Sequence, residues 1–252
     1  MKFLMLSLAL SVSGAQAAQT GLVRRVLSYH QNGVAAEIVF EKDGKEASRV
    51  QMDQDGRHVK RTGKQPDGVY KEYYDDGRLK REIGYKGGLR EGLAKSFYES
   101  GTLRDSCGYS RDNCEGPCAA YYENGTLREE YTCKKGSIDG TMKTYFPAGK
   151  LKSEETYSAG QPNGPSRTFS EKGALLEEIT FRGGRKNGPA KLYNKDGGLQ
   201  LEGVYSDDEP DGVFRSYYSN GKLMYEDEYQ KGRRIGRKSY NSRGKMTYET
   251  RD

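Results

Sequence analysis

The residues best suited to chemistry in this chain are four cysteines that lie close together near its middle. They are Cys107, Cys114, Cys118 and Cys133. An even number of cysteines in an exported chain favours disulfide bonds. Four cysteines can also bind one zinc ion tetrahedrally, but this spacing lacks the paired C-x-x-C knuckles typical of such sites. We therefore predict two disulfides and no metal.

Signals for catalysis are sparse. The only histidines are His30 and His58, and neither a G-x-S-x-G nor an H-E-x-x-H motif occurs. Adjacent glutamates could suit glycoside hydrolysis, which uses two carboxylates. One member of each pair recurs at a fixed position, however, where it faces a basic residue in most units, and this indicates a structural role. We expect no catalytic residue, no cofactor and no enzymatic activity. The adjacent pairs are Glu129/Glu130, Glu154/Glu155 and Glu177/Glu178.

The elements that must position these residues follow from a glycine that recurs every 24 residues. A fixed period of this length indicates a repeat array. Each unit is too short to bury a core alone, so it must stack on its neighbours. We number each unit from this glycine as position 0. The glycines are Gly68, Gly92, Gly116, Gly140, Gly164, Gly188, Gly212 and Gly236.

Each unit has the composition of a β-hairpin. Position 9 is Gly and position 11 is Leu in the first seven units, from Leu79 to Leu223. Pairs such as Asp76-Gly77 favour a two-residue type I′ turn at positions 8 and 9. The flanking runs are rich in Tyr, Phe, Leu and Thr, which suit strands. With that turn, position k faces position 17 − k on the other strand.

This register predicts a sheet with two different faces, because side chains alternate along a strand. Position 0 faces an aromatic residue at position 17, and position 6 faces the leucine at position 11, as in Tyr74–Leu79. Both sets are predicted on one face. On the other face, position 3 lies opposite position 14. Aromatic residues at position 5, such as Tyr73, are predicted on that same face, opposite basic residues at position 12, such as Lys80. The charged pairs are Lys71–Glu82, Lys143–Glu154, Arg167–Glu178, Lys191–Glu202 and Arg215–Glu226.

The same register bears on the cysteines. It places Cys107 opposite Cys118 across the loop between two units, and Cys114 near Cys133 across the next hairpin. We favour these two disulfides. The alternative pairs Cys107 with Cys114 and Cys118 with Cys133.

The ends of the chain differ from the array. Residues 1–18 have a basic start at Lys2, a short apolar run and an A-x-A cleavage site, which predict a signal peptide and export to the periplasm or medium. Residues 19–66 are predicted to form degenerate hairpins, and residues 67–252 the array of eight units, the last a truncated cap. The net charge is +6, but the chain has no block of basic residues that would indicate nucleic-acid binding.

The units resemble the bacterial variant of the MORN repeat. The resemblance rests on segments such as 67–82 (DGVYKEYYDDGRLKRE) and 211–223 (DGVFRSYYSNGKL) and covers about residues 67–250. Position 2, often Trp in that family, is Tyr70, Ala94, Cys118, Met142, Ser166, Ala190 and Phe214 here. The resemblance implies an elongated antiparallel sheet that acts as a protein-interaction scaffold or associates with phospholipid. Many bacterial members carry an antitoxin label, which is compatible with export only as an immunity-like role.

These observations predict an all-β fold, an elongated single antiparallel sheet of tandem hairpins. A single sheet cannot cover both of its faces, and an open aromatic face is typical of a binding surface. We expect a non-enzymatic partner-binding protein, with an unknown protein as the partner. The alternative is peripheral binding to anionic lipid through Lys231, Arg233, Arg234, Arg237 and Lys238. The predicted binding residues are Tyr74, Tyr98, Tyr122, Phe146, Tyr218, Tyr85, Tyr109, Tyr157, Phe181, Tyr205 and Tyr229.

Overall fold

The computed structural model describes residues 21–251, and they form one sheet of 23 strands. The predicted all-β architecture of tandem hairpins is therefore confirmed. The predicted signal peptide, residues 1–18, lies outside the described residues. None of residues 21–251 is helical, so none of them forms a helix long and apolar enough to cross a membrane.

The strands of the array come in hairpins, one from each 24-residue unit. The first strands are β5 (Gly68–Tyr73), β8 (Gly92–Phe97), β10 (Asn113–Tyr121), β13 (Gly140–Tyr145), β15 (Gln161–Phe169), β17 (Arg185–Tyr193), β20 (Gly212–Tyr217) and β22 (Arg233–Tyr240). The second strands are β6 (Leu79–Lys86), β9 (Leu103–Ser110), β11 (Leu127–Lys134), β14 (Leu151–Ser158), β16 (Leu175–Arg182), β18 (Leu199–Ser206), β21 (Leu223–Gln230) and β23 (Met246–Arg251). Two-residue strands join some units: β7 (Leu89–Arg90), β12 (Ser137–Ile138) and β19 (Glu209–Pro210).

Four strands precede the array and close its first end. They are β1 (Leu22–Tyr29), β2 (Ala35–Lys42), β3 (Lys45–Met52) and β4 (His58–Gly63). Each pairs with the next in antiparallel fashion, but β1 also pairs with β5 in parallel, Val23 opposite Lys71. The neighbour of the first repeat is therefore β1 rather than β4. Buried Ile38, Phe40 and Val50 pack on Tyr70 of the first unit in the main core cluster.

The hairpin turns differ from the predicted two-residue type. The Gly77 N–H donates to the Tyr74 carbonyl, and the Tyr74 N–H donates to the Arg78 carbonyl, which encloses a three-residue loop. Only Gly77 within that loop has a left-handed conformation, with φ 86°. This is a type I turn followed by a glycine bulge. The prediction of type I′ turns at positions 8 and 9 is wrong because Asp-Gly fits both kinds of loop.

Type I′ turns do occur, but between the units. Both residues at positions 19 and 20 have positive φ, as in Arg111 and Asp112, at 47° and 67°. The Asp112 N–H donates to the carbonyl of Arg90 in the preceding unit. A side chain at position 23 also accepts from the next turn, as when the Arg111 N–H donates to Glu91. These turns therefore stack along one edge of the array.

A β-bulge in each hairpin moves the leucines to the other face. Glu72 lies opposite Arg81, but Tyr73 lies opposite Leu79, so Lys80 is the extra residue. The predicted pairing of Leu79 with Tyr74 is therefore wrong, and so is its equivalent in the other units. Directly opposed residues share a face, so the position 11 leucines lie with the position 5 aromatic residues.

Two predicted sets of pairs are present in the structure. Position 0 lies opposite position 17, as in Gly68 opposite Tyr85, and position 3 lies opposite position 14, as in Arg167 opposite Glu178. Pairing between units adds to the second set, because Glu178 also lies opposite Lys191 of the next unit. The result is a row of alternating charge across the sheet, which we call the charge row. It is interrupted where Ser106 lies opposite Ala119.

Near the second end of the array a glycine makes room for a ring. A Cβ built on Gly203 would clash with the ring of Phe214. That ring is itself buried and meets Tyr205 and Tyr229 edge to face, at 5.2 and 5.3 Å between centroids. The absence of a side chain at position 15 of this unit therefore allows a ring at position 2 of the next.

We predict that Gly203→Ala lowers the free energy of unfolding by about 1–3 kcal/mol, because the buried ring must shift. Chemical denaturation measures the change. The control is Val204→Ala, on the opposite face and 46% exposed, which should stay within about 0.5 kcal/mol. Phe214→Leu should reduce the cost of Gly203→Ala in the double variant, since the two sites are in contact. Additive effects would contradict the packing argument.

Candidate functional site

The candidate site is the face of the sheet that carries positions 0, 2, 4, 15 and 17, which we call the ring face. At each end of the array its rings pack against one another. Tyr70 and Tyr85 contact Phe40 of β2 edge to face, at 5.2 and 5.4 Å between centroids. The triad of Tyr205, Phe214 and Tyr229 closes the other end. Rings at position 2 are therefore what fills the ring face near its ends.

The middle of the ring face is less filled. Position 2 is Ala94, Cys118, Met142, Ser166 or Ala190 in these units, so no ring at position 2 packs against the position 17 rings there. Tyr157 and Phe181 are half-buried. Tyr157 donates its hydroxyl to Glu155, and burial followed by this hydrogen bond raises the pKa of Tyr157 to about 12. The open part of this face thus presents partly exposed rings next to carboxylates.

The aromatic residues at position 6 hold neighbouring hairpins together. The hydroxyl of Tyr122 donates to the carbonyl of Tyr145, in the next unit, at 2.8 Å. Tyr74, Tyr98 and Tyr218 make the equivalent bond, so a hydroxyl at this position links one turn to the next strand. The four predicted binding tyrosines at position 6 therefore have a structural contact that the sequence analysis did not identify, whereas Phe146 lacks it.

The opposite face carries positions 1, 3, 5, 14 and 16, and we call it the ladder face. Tyr145 at position 5 donates to Glu130 of the charge row at 2.6 Å, and Tyr217 does the same to Glu202. Burial and then the hydrogen bond to Glu130 raise the pKa of Tyr145 to about 12. These contacts tie the position 5 rings to the charge row.

The predicted cation–π contacts form on the other face from the one expected. Lys80 Nζ lies 5.4 Å from the ring centroid of Tyr74, and Lys152 lies 6.0 Å from that of Phe146. The β-bulge turns position 12 toward the ring face, so its cations meet position 6 rather than position 5. Different cations cover two of the position 17 rings. Arg90 stacks 4.1 Å from the centroid of Tyr109, and Lys186 lies 5.3 Å from that of Tyr205.

A buried carboxylate with two cations lies at each end of the ring face. Glu72, 6% exposed, pairs with Arg24 of β1 and with Lys80. Asp227, also 6% exposed, accepts two hydrogen bonds from Arg237 and lies 4.0 Å from Arg234. Sequence reasoning missed both carboxylates because neither stands at a position where acids recur.

These contacts change the view of the basic cluster near the C-terminus. Arg234 and Arg237 pair with Asp227, and Lys238 lies 3.5 Å from Glu226 of the charge row. Three of the five basic residues proposed for lipid binding are thus part of internal ion pairs.

A second concave site, which we call the cap cavity, lies between strands β1–β4 and the first unit. This cavity of about 540 Å³ has an apolar floor that includes Phe40 and Ile83. Four guanidinium groups line it, and the Gln65 amide lies at its wall, 5% exposed and without a hydrogen-bond partner among the described residues. Two of them already pair with carboxylates, Arg24 with Glu72 and Arg90 with Asp112, which also lines the cavity. Arg61 and Arg81, above the apolar floor, suit an anionic group with an apolar part. The arginines are Arg24, Arg61, Arg81 and Arg90.

The four cysteines lie on the ring face of the second and third units. Cys107 on β9 lies opposite Cys118 on β10, as the register predicted, and the two form a disulfide. Cys114 and Cys133 form the other disulfide. The structure therefore has the favoured pairing rather than the alternative. Cys118 and Cys133 are buried, whereas Cys107 and Cys114 are half-buried.

We predict opposite effects from two substitutions at position 6. Tyr122→Phe removes the hydrogen bond to the Tyr145 carbonyl and should lower the free energy of unfolding by about 1 kcal/mol. Phe146 occupies the same position without a hydroxyl, so Phe146→Tyr should add the bond and raise stability by about 0.5–1 kcal/mol. Urea denaturation of both variants checks this. Equal signs for the two changes would contradict the role assigned to the hydroxyl.

Comparisons with known proteins bear on these units. A family model described as the MORN repeat variant matches residues 66–86, 90–109, 115–135, 138–159 and 210–231. These five segments are the units with an aromatic residue at position 6. The fifth and sixth units have Ser170 and Asn194 there instead. Their side chains accept hydrogen bonds within their own turns, and the same hairpin forms.

No curated protein matches the chain. The chain is similar to a TcdB2-TccC3 structure without the hypervariable C-terminal region, at 13% identity and TM-score 0.22, covering 90% of this chain and 12% of that one. It is also similar to a GtfA/B complex bound to UDP and GlcNAc, at 11% identity and TM-score 0.16, covering 66% of this chain and 25% of that one. A third similar structure is a mutant Photorhabdus luminescens Tc holotoxin pore, at 13% identity and TM-score 0.17, covering 88% of this chain and 16% of that one.

The chain spans a quarter or less of the length of these solved chains. Their TM-scores are too low to support an argument about fold or function. The family similarity rests instead on the five matched segments, each of which folds as a hairpin, as its 24-residue spacing predicts. In these five segments the chain is similar to the MORN repeat variant.

Proposed function

We propose that this chain is a non-enzymatic scaffold that binds a protein partner on the middle of its ring face. MORN repeats are commonly protein- or lipid-binding repeats. The observation that supports a protein partner is a difference in burial along the ring face. At position 2, Tyr70 and Phe214 near the ends are buried, whereas Met142 and Ser166 in the middle are half-buried.

The middle also offers the chemistry that protein interfaces favour. Aromatic residues and Met are enriched at such interfaces, and the rings lose little conformational entropy on binding. Neighbouring carboxylates such as Glu155 can orient a partner with complementary charge. We further propose that the protein is exported, because its cysteines form disulfides and residues 1–18 have the pattern of a signal peptide. An immunity-like role outside the cytoplasm fits this location.

Site-specific photo-crosslinking tests the proposal. A photoreactive phenylalanine analogue replaces Tyr157 on the ring face or, as a matched control, Tyr145 on the ladder face. Both are half-buried tyrosines in the same unit. The chain is irradiated in the envelope fraction of its native host, and the products are identified by mass spectrometry. We expect a defined protein adduct from position 157 and none from position 145.

An adduct from position 145 alone would place the binding surface on the other face. No adduct from either position would count against a protein partner. Both results would contradict the proposal, because a partner seated on the middle of the ring face must lie within reach of residue 157.

The second candidate function is binding of an anionic phospholipid, and the cap cavity favours it over the C-terminal basic cluster. In the cavity Arg24 and Arg90 pair with carboxylates, as Arg234, Arg237 and Lys238 do in the cluster. The difference is the apolar floor of the cavity, which lies beside Arg61 and Arg81. A lipid headgroup could use the guanidinium groups, and the apolar floor could accept part of an acyl chain.

Sedimentation with vesicles that contain anionic phospholipid separates the two locations. If the cavity binds lipid, Arg61→Ala should reduce the bound fraction severalfold, and Arg233→Ala in the basic cluster should leave it nearly unchanged. Binding should also weaken as salt is raised, since the contact is electrostatic. Loss of binding in Arg233→Ala alone would restore the cluster as the site. Absence of salt-sensitive sedimentation would remove lipid as a ligand.

A further inference from the structure

The four cysteines are closer together than two separate disulfides require. Beyond the bonded pairs, Sγ of Cys107 lies 3.1 Å from that of Cys114, and Sγ of Cys114 lies 3.4 Å from that of Cys118. Cys118 and Cys133 are 4.0 Å apart at sulfur. All four sulfur atoms lie within 4.8 Å of one another, so they form one compact cluster.

The size of the cluster suits a metal ion bound by four thiolates. A tetrahedral zinc site has Zn–S bonds of about 2.3 Å, which places its sulfur atoms about 3.8 Å apart. The sulfur–sulfur separations between the two disulfides, from 3.1 to 4.0 Å, bracket that value. The backbone already brings the four cysteines together, because β9, β10 and β11 are consecutive paired strands. Only small movements of the side chains separate the observed arrangement from a tetrahedron.

The surroundings of the cluster allow both a reductant and an ion to reach it. It lies in the wall of an open cavity of about 480 Å³ on the ring face. Half-buried Cys107 and Cys114 provide one sulfur of each disulfide at that surface, so a thiolate can attack either bond. In the third unit, position 17 is Cys133 instead of an aromatic residue, and position 2 is Cys118. The cluster thus replaces the aromatic packing found at the two ends of the array.

We propose that Cys107, Cys114, Cys118 and Cys133 form a redox-dependent site for one zinc ion. In the oxidised chain they are two disulfides. A dithiol reductant reduces each disulfide with two electrons and two protons and is itself converted to a disulfide. The four resulting thiols bind Zn²⁺ as thiolates and release up to four protons. Oxidation by a disulfide oxidant reverses the sequence and releases the ion.

Cobalt(II) is a suitable probe, because its visible absorption reports tetrahedral thiolate ligation and zinc displaces it. The chain without the predicted leader, residues 1–18, is reduced with dithiothreitol under anoxia, freed of reductant and titrated with Co²⁺ and then Zn²⁺. We expect one ion per chain in the reduced form and none in the oxidised form. Cys118→Ser and Cys133→Ser should each weaken binding at least tenfold, whereas the matched control Ser106→Ala on the ladder face should not.

A second measurement covers the case in which the reduced chain loses its structure. The same chain is produced in a reducing cytosol and examined by native mass spectrometry, and its sheet content is followed by circular dichroism. We expect the mass of one bound zinc and a sheet spectrum that is lost on chelation. A folded, reduced chain that binds no Co²⁺ would overturn the proposal. So would a reduced chain that unfolds and does not regain its sheet when zinc is added.

Discussion

The register between neighbouring strands is the constraint on which the rest of this structure depends. Every side-chain set described above exists because one residue lies directly opposite another, within a hairpin or between hairpins. A shift of one residue would move each set to the other face. The backbone fixes that register twice in each unit, at the bulged three-residue loop and at the type I′ turn. Residues such as Gly77 and Gly136, with φ of 86° and 84°, make those turns accessible.

Much of this register could be predicted from the sequence, because it repeats. The recurrence of Gly opposite an aromatic residue, and of Lys or Arg opposite Glu, is visible without coordinates and fits only one way of folding the unit back. The same argument placed Cys107 against Cys118. Repetition supplies several independent copies of one pattern, so the inference does not depend on any single residue.

The errors have physical causes in places where different backbones accept the same residues. Asp76-Gly77 suits a two-residue turn and a bulged loop, and the choice between them decides which face receives Leu79. The parallel contact of β1 with β5 could not be predicted either. Residues 19–66 lack the repeat, and a parallel pair has no local turn to specify it. Glu72 and Asp227 stood outside the recurring acids, and only the folded chain shows the arginines that reach them.

The ring face varies along the array, whereas the ladder face is nearly uniform. Aromatic packing at both ends, a sulfur cluster in the second and third units and half-buried rings beyond it give different parts of one sheet different chemistry. A uniform backbone can carry this variation because positions 2 and 15 accept residues as small as Gly203 and as large as Phe214 without a change in register. The sites proposed above use that freedom.

The charge row has a consequence for how such a chain can change its length. A typical unit contributes one cation and then one anion, in the same order, and the anion meets the cation of the following unit, as Glu154 meets Arg167. Removing or duplicating a whole unit would therefore leave unlike charges opposed at the new junction, and no like charges would be forced together. Copy number can drift by recombination while the electrostatic match between neighbours survives.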